Sequence, residues 1–466
     1  MNADCDVLVV GAGISGLTAA YRLARRGIGV EVIDAASRPG GVIGSERRDG
    51  VLYERGPNSI LDANAHINEL LDDLGVRSRR LELSAVSSKR FVVRGGTLVA
   101  LPTSPPAFLG TPLFSGRAKL GLLREPFVAP VSPDIEESVA QFVVRRLGRE
   151  FLDYAVEPFV AGIYAGDPAQ LSLAAAFPRL YALERRYGSL IKGQILGAAQ
   201  RAERSGRSKH VAASFSFPEG LQSLTDALAR TLGNVATGTH ARSVRRAEAG
   251  AIVVTVEREG ETVERRARAV VLAVPAYRAA PLIRDFAVDS ARALDDLPYA
   301  AVASVASVYR RSDVAHPLDG FGMLVPRVEK RRILGTLFSS SMFDGRAAES
   351  EALLTTFVGG QRDPRLAALP DEDLRMIVTE ELSDLLGARG APRFCAVTRW
   401  AQAIPQNTLG HLERIRRAEQ VQTVLPGLFL CGSYRGGVAV GDCIQSAFQV
   451  ADAVENHLSS HGVATS

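Results

Sequence analysis

A chain of 466 residues is too long for one ordinary hydrophobic core and divides into two or three domains. Its 46% hydrophobic and 23% charged content is globular, and a net charge of +4 with no basic arm argues against a nucleic-acid partner while suiting anionic lipid or an anionic substrate. The four cysteines form no C-x-x-C and have no histidine at ligand spacing, so neither a metal site nor a disulfide framework is expected.

No run reaches the ~18 apolar residues that span a bilayer, and residues 1–10 lack the features of a signal peptide. An intracellular protein with no transmembrane helix is expected.

The chain begins with a buried strand, Asp6 to Val10, followed by Gly11-Ala-Gly13-Ile-Ser-Gly16 and a helix from Leu17 to Arg26. The strand-loop-helix context gives this glycine spacing its meaning. The first glycine makes the turn, the second admits a pyrophosphate, the third lets helix and strand pack, and the helix N-terminus faces the phosphates. The next strand, Gly29 to Asp34, ends in an acid about 20 residues after the glycines, where it accepts hydrogen bonds from ribose and disfavours a 2′-phosphate. Two further glycine turns follow, Ser37-Arg-Pro-Gly-Gly-Val42 and Glu54-Arg-Gly-Pro-Asn-Ser59. They resemble elements of the FAD-containing oxidases of the amine oxidase superfamily and suit close backbone approach to a longer cofactor.

Residues 61–76 are predicted helical, with Ile67, Leu70, Leu71 and Leu74 on one face, and 88–102 form a hairpin turning at Gly95-Gly96. The stretch 101–133 is proline-broken and apolar among Arg and Lys. It reads equally as an interfacial membrane contact or as a loop packed on a neighbouring domain. Helices are expected from Glu136 to Leu147 and from Phe151 to Val160, the second ended or kinked by Pro158. A glycine turn at Ala161–Pro168, a helix from near Leu173 and a polar linker at 200–210 complete this region.

A helix follows Phe217, then strands at Ile252–Val256 and Ala269–Val274; the latter is apolar throughout, as in a central parallel strand. Strands at Val302–Tyr309, Phe321–Val325, Ile333–Phe338 and Leu353–Val358 predict a second, antiparallel sheet. A helix at Asp371–Leu386, a short strand at Leu428 and a long helix after Asp442 end the chain. The nucleotide domain is thus assembled from separated segments. Local motifs for hydrolytic or metal chemistry are absent, which fits flavin chemistry, since hydride transfer to a flavin needs no side-chain nucleophile.

Across nearly its whole length the chain resembles the protoporphyrinogen oxidases. The resemblance rests on Gly11–Leu17, Gly56–Ser59, Ala161–Asp167, Gly320–Pro326, Leu334–Ser340, Thr355–Gly360, Ile404-Pro-Gln, Leu409–Leu412 and Gly437–Cys443. It implies an α/β (α+β overall) fold in which a discontinuous, Rossmann-like FAD-binding domain (1–87, 211–280 and 395–466) joins an antiparallel-sheet substrate domain (281–394 with 88–100). A helical membrane-binding insertion (101–210) completes it.

The resemblance also assigns roles. Arg90 matches the arginine that grips a propionate, a task suited to a guanidinium. Leu324, Leu337 and Phe357 match residues that sandwich the pyrrole rings, and Gly162 matches the glycine facing the reacting side of the macrocycle. Gly11, Ala12, Gly13, Ile14, Ser15, Gly16, Asp34, Ala35, Val42, Gly56, Pro57, Asn58 and Ser59 match FAD contacts, as do Arg242, Trp400, Val438, Ala439 and Val440. Asp34 stands where relatives commonly carry Glu, and Arg242 rests on a loose alignment.

The implied reaction removes six electrons from protoporphyrinogen IX in three cycles, with hydride passing to non-covalent FAD and dioxygen reoxidising it to give hydrogen peroxide. No side-chain acid or base is identified. The implied setting is cytoplasmic and peripheral on the inner face of the cell membrane, and admits a homodimer and hand-over to the next porphyrin-pathway enzyme. Three rivals stand beside this reading. They are a coproporphyrinogen III oxidase, a flavin amine oxidase (disfavoured because Lys330, in a charged turn, is the sole lysine of the 300–360 sheet) and a non-catalytic FAD protein.

Overall fold

The computed structural model describes residues 3–132, 134–194, 196, 213–247 and 250–460. The polar linker expected at 200–210 lies outside them.

The first sheet grows from Cys5–Val10. This strand pairs in parallel with Val30–Ile33 on one side and with Ala267–Leu272 on the other. Leu428–Leu430 adds in parallel beside Val270–Leu272, and two antiparallel hairpin strands, Thr239–Arg246 and Ile252–Arg258, extend the sheet. Side chains alternate between two cores. Val7, Val9, Val32, Ala269 and Val271 pack under the helices Ile14–Arg25 and Val440–Ser460, while Leu8, Val10, Ile33, Val270 and Leu272 face Ala276–Ile283 and His411–Glu419. Burial on both faces explains the unbroken apolar runs; each fully buried Val or Leu contributes about 1.5–3 kcal/mol.

The second sheet has seven strands in the order Phe394–Pro405, Tyr299–Arg310, Glu351–Gly359, Ile333–Leu337, Gly322–Leu324, Arg90–Arg94 and Thr97–Ala100. The expected antiparallel sheet is found with one exception, because Gly322–Leu324 runs parallel to Arg90–Arg94. The hairpin 90–100 comes from a distant part of the chain and adds to the sheet edge without a local turn to impose its direction. Phe394–Pro405 pairs along Tyr299–Arg310, so the domain boundary expected at 395 falls inside a strand of this sheet. The helix Asp371–Leu386 covers one face, opened by three acids in its first turn and closed by Gly387 at φ 63°.

The third region is helical, with its own core around Phe142, Val143, Phe151 and Val160. The proline-broken stretch contains short helices at Pro105–Gly110 and Gly116–Gly121, capped by Ser104 and Ser115. A buried ionic triad ties the region together. Arg146 reaches Glu125 at 3.0 Å and Glu184 at 2.7 Å, and Glu125 also accepts the N–H groups of Leu190 and Ile191.

Of the two outcomes expected at Pro158, an end or a kink, the helix is not ended but is irregular just before the proline. A π-turn at Leu152–Val156 takes up the irregularity that the missing N–H and the ring of Pro158 impose, and the helix continues through Glu157–Tyr164. Ala161 to Tyr164 are therefore helical, and the turn expected from Ala161 begins at Ala165, φ 47°. Among the described residues no helix is long and apolar enough to cross a membrane.

Candidate active site

The glycine loop divides its labour in a way the geometry makes plain. A Cβ on Gly11, at φ 110°, would lie 2.7 Å from the carbonyl oxygen of Ala273, and one on Gly16 would lie 1.9 Å from that of Gly11. Those two glycines are required by the protein's own packing. A Cβ on Gly13 would meet nothing within 4 Å, so the second glycine opens onto space at the start of the helix. Gly13 is also the helix N-cap and supplies no side-chain cap to the first N–H groups, at Ile14 and Ser15. Asp34 stands next to the loop, accepting from the N–H of Ala12 at 2.6 Å and of Ala36 at 2.7 Å. Each carboxylate oxygen keeps a lone pair for a further donor. Ala35 follows it, exposed. The second glycine turn joins the first through Gly40 N–H to the carbonyl of Ala12, 2.8 Å. An open helix N-terminus, a glycine facing empty space and an acid beside it fit the diphosphate and ribose of a dinucleotide.

From Ile14 the cradle leads into an apolar cavity of about 490 Å³ where the two sheets and the helix Glu157–Tyr164 meet. Val42, Gly56, Pro57, Asn58, Ser59, Trp400, Val438, Ala439 and Val440 line it, and so do Gly162, Leu324, Leu337 and Phe357. Residues expected at an FAD and residues expected at a macrocycle thus share one space. Leu324, Leu337 and Phe357 keep partial exposure, whereas Thr356, next to Phe357 and outside the lining, is buried. Trp400 donates its indole N–H to the carbonyl of Arg55 at 2.8 Å. Gly162 presents only hydrogen to the cavity wall: a Cβ there would come within 2.8 Å of Leu324 Cδ2.

Two of the expected residues lie elsewhere. Arg90 is exposed and outside the lining, with its guanidinium carbon 5.0 Å from the ring centre of Phe321, which does line the cavity. Among the described residues it has no acidic partner. Arg242 is exposed and paired with Glu257 at 2.8 Å. The backbone that reaches the acid comes slightly earlier, from Gly238 N–H to Ala36 and Thr239 N–H to Asp34, both 2.8 Å.

Among the described residues Arg55 and Cys443 are the ionisable groups that line the cavity, with no carboxylate, histidine or lysine. Burial pushes the Cys443 thiol up to about 11, so it is neutral at ordinary pH. Lys330 lies at the end of the turn Arg327–Glu329, outside the lining. Phe321, Met323, Thr336 and Ile404 also line the cavity and were not singled out from the sequence; Met323 and Thr336 are the strand neighbours of Leu324 and Leu337, so alternation alone could not have marked them.

A profile of the family "Flavin containing amine oxidoreductase" matches residues 14–455. The chain is 34% identical to the mitochondrial protoporphyrinogen oxidase of Nicotiana tabacum, over 97% of this chain and 95% of that protein. It is 28% identical to the coproporphyrinogen III oxidase of Bacillus subtilis, over 96% and 97%. A crystal structure from Exiguobacterium sp. 255-15 superposes with a TM-score of 0.82 at 25% identity, covering 97% of this chain and 99% of that one. Cyclohexylamine oxidase from Brevibacterium oxydans shares the fold, with a TM-score of 0.71 at 18% identity over 98% and 100%. The chain belongs to the flavin-containing amine oxidoreductase family and is an FAD-dependent oxidoreductase.

Proposed function

We propose that this FAD-dependent oxidoreductase converts protoporphyrinogen IX to protoporphyrin IX, with dioxygen as oxidant and hydrogen peroxide as product. The observation that carries the reading is the single cavity in which Leu324, Leu337, Phe357 and Gly162 adjoin the residues next to the dinucleotide loop. A porphyrinogen is a flexible, apolar macrocycle with carboxylates on one side, and an apolar pocket with an arginine near it is its chemical complement.

Bound FAD supplies a two-electron acceptor that dioxygen restores. The chain's own residues hold and orient. Gly13 and the helix N-terminus receive the diphosphate, and Asp34 the ribose. Leu324, Leu337 and Phe357 pack against the pyrrole rings and exclude water. Gly162 lets the reacting edge approach the wall, where any side chain would intrude. Arg90, held over Phe321 and free of an acidic partner among the described residues, takes a propionate. Among the described residues no carboxylate, histidine or lysine lines the cavity, so the pyrrole protons are assigned to solvent or flavin and to no side-chain base.

The helical region carries a second part of the proposal. Leu109, Leu120, Leu123 and Phe127 are exposed, Phe127 by 87%, next to Arg117, Lys119 and Arg124. An apolar patch with flanking cations suits a peripheral position on the anionic inner leaflet.

The test is purification of the flavoprotein and separate assays with protoporphyrinogen IX and coproporphyrinogen III, read by porphyrin fluorescence in air. Preference for the dicarboxylate supports the proposal. Preference for the tetracarboxylate transfers it to the activity named for the Bacillus relative.

A further inference from the structure

Gln406 lies one residue beyond the cavity, is 1% exposed, and uses its side-chain amide to join two of the cavity's walls. Its Nε2 donates to the carbonyl of Tyr164 at 2.7 Å and to that of Ile404 at 3.0 Å. Tyr164 is the last residue of the helix that contributes Ala161, Gly162 and Ile163 to the lining. Ile404 belongs to the strand that contributes Trp400, Ala403 and Pro405. The carbonyls of a helix's last turn have no partner within the helix, and here the chain leaves it through Ala165 in the left-handed region. Gln406 supplies the missing donor from across the cavity wall. Its own backbone is fixed on both sides, with its N–H bonded to Pro298 and its carbonyl to the N–H of Thr408, each 2.8 Å. Among the described residues its Oε1 has no partner, and it lies against Gly166, where a Cβ would come within 2.7 Å of it.

We propose that Gln406 is a positioning residue: its amide sets the spacing between the Gly162 wall and the Trp400 wall, and through it the rate of substrate oxidation more than substrate affinity. The chemistry at this point requires two donor hydrogens facing two carbonyls from one short side chain. Leucine has the volume without the donors. Glutamate has the shape, but an ionised carboxylate would set oxygen against two carbonyl oxygens, whereas its protonated form can donate to one of them. Burial raises such a carboxyl's pKa above its ordinary value.

The inference rests on the oxidase reading, so the wild-type flavoprotein is assayed first with protoporphyrinogen IX. Absence of wild-type turnover counts against that reading and not against Gln406. Given turnover, Gln406→Leu is expected to lose kcat on the order of 10- to 100-fold, with KM little changed and flavin content retained. Gln406→Glu is expected to gain a pH dependence that the wild type lacks, with kcat falling as pH rises through the new carboxyl's pKa. Trp400, the only tryptophan, gives a readout independent of turnover: acrylamide quenching of its fluorescence should increase in Gln406→Leu at temperatures well below that variant's own, somewhat lowered Tm. Wild-type kcat in a folded Gln406→Leu, or a Gln406→Glu profile that superimposes on the wild type, overturns the proposal. Loss of fold in both variants also overturns it, in favour of a purely structural role.

Discussion

Trp400 and Arg55 are joined by one hydrogen bond, the indole N–H to the carbonyl oxygen at 2.8 Å, between residues 345 positions apart in the chain. That bond fastens the end strand of the second sheet to the turn Gly56–Ser59, which lines the same cavity. The second sheet is therefore tied to the turn that follows the small hairpin Ser45–Glu54 by a specific polar contact at the cavity and not through apolar packing alone.

The three loop glycines should respond differently to the same substitution. Gly16→Ala puts a methyl 1.9 Å from a backbone oxygen and should abolish folding or nearly so. Gly13→Ala meets no protein atom, so the apoprotein should keep its Tm while FAD affinity falls, because the new methyl occupies space a diphosphate needs. Thermal unfolding with and without FAD checks both.

Gly162→Ala should separate stability from activity. Removing glycine from a helix interior favours folding by about 0.5–1 kcal/mol, and the one atom the new methyl meets, Leu324 Cδ2, is the tip of a flexible side chain. Tm should hold or rise slightly while kcat/KM for porphyrinogen falls, and Gly162→Leu should be inactive but folded. Differential scanning calorimetry and steady-state kinetics on the same samples decide it.

Arg90→Ala should leave stability within about 0.5 kcal/mol, as its exposed guanidinium has no acidic partner among the described residues. Loss of a charged hydrogen bond to a propionate should cost about 1.5–3 kcal/mol of binding, seen as a KM raised roughly tenfold or more. Arg90→Lys should recover only part of this, because an ammonium cannot form the paired bonds of a guanidinium. An unchanged KM in both variants would remove Arg90 from the site.

His411 gives a pH dependence of stability. Burial, with Arg414 adding to it, lowers its pKa from 6.5 to about 4. Between those values the unfolded chain binds more protons than the native one. The contribution is therefore fully present above pH 6.5 and is lost as pH falls towards 4. Its size is on the order of 3 kcal/mol. His411→Gln should show a shallower loss of urea stability between pH 7 and pH 4.5 than the wild type.

Much of the fold is written locally. The glycine loop, Asp34 and the helix Asp371–Leu386 follow from backbone requirements and periodicity within a few residues, and the structure places them as the sequence suggests. The cavity residues Leu324, Leu337 and Phe357 read as ordinary core from local pattern alone, since what leaves them partly exposed is the meeting of distant segments. Pro158 disturbs its helix through the π-turn just upstream and does not end it, and spacing alone does not decide between those two outcomes. The parallel pairing of Arg90–Arg94, the membership of Phe394–Pro405 in the second sheet, and the ties made by Trp400 and Gln406 are long-range, and no spacing rule encodes them.

The most direct test of the central claim is a single-turnover experiment. The oxidised flavoprotein is mixed anaerobically with protoporphyrinogen IX, and the flavin absorbance is followed. The account predicts bleaching at least as fast as steady-state turnover, with return of the oxidised spectrum, hydrogen peroxide and eventual porphyrin fluorescence when oxygen is admitted. A flavin that stays oxidised in the presence of protoporphyrinogen, or bleaches far more slowly than turnover, would contradict it.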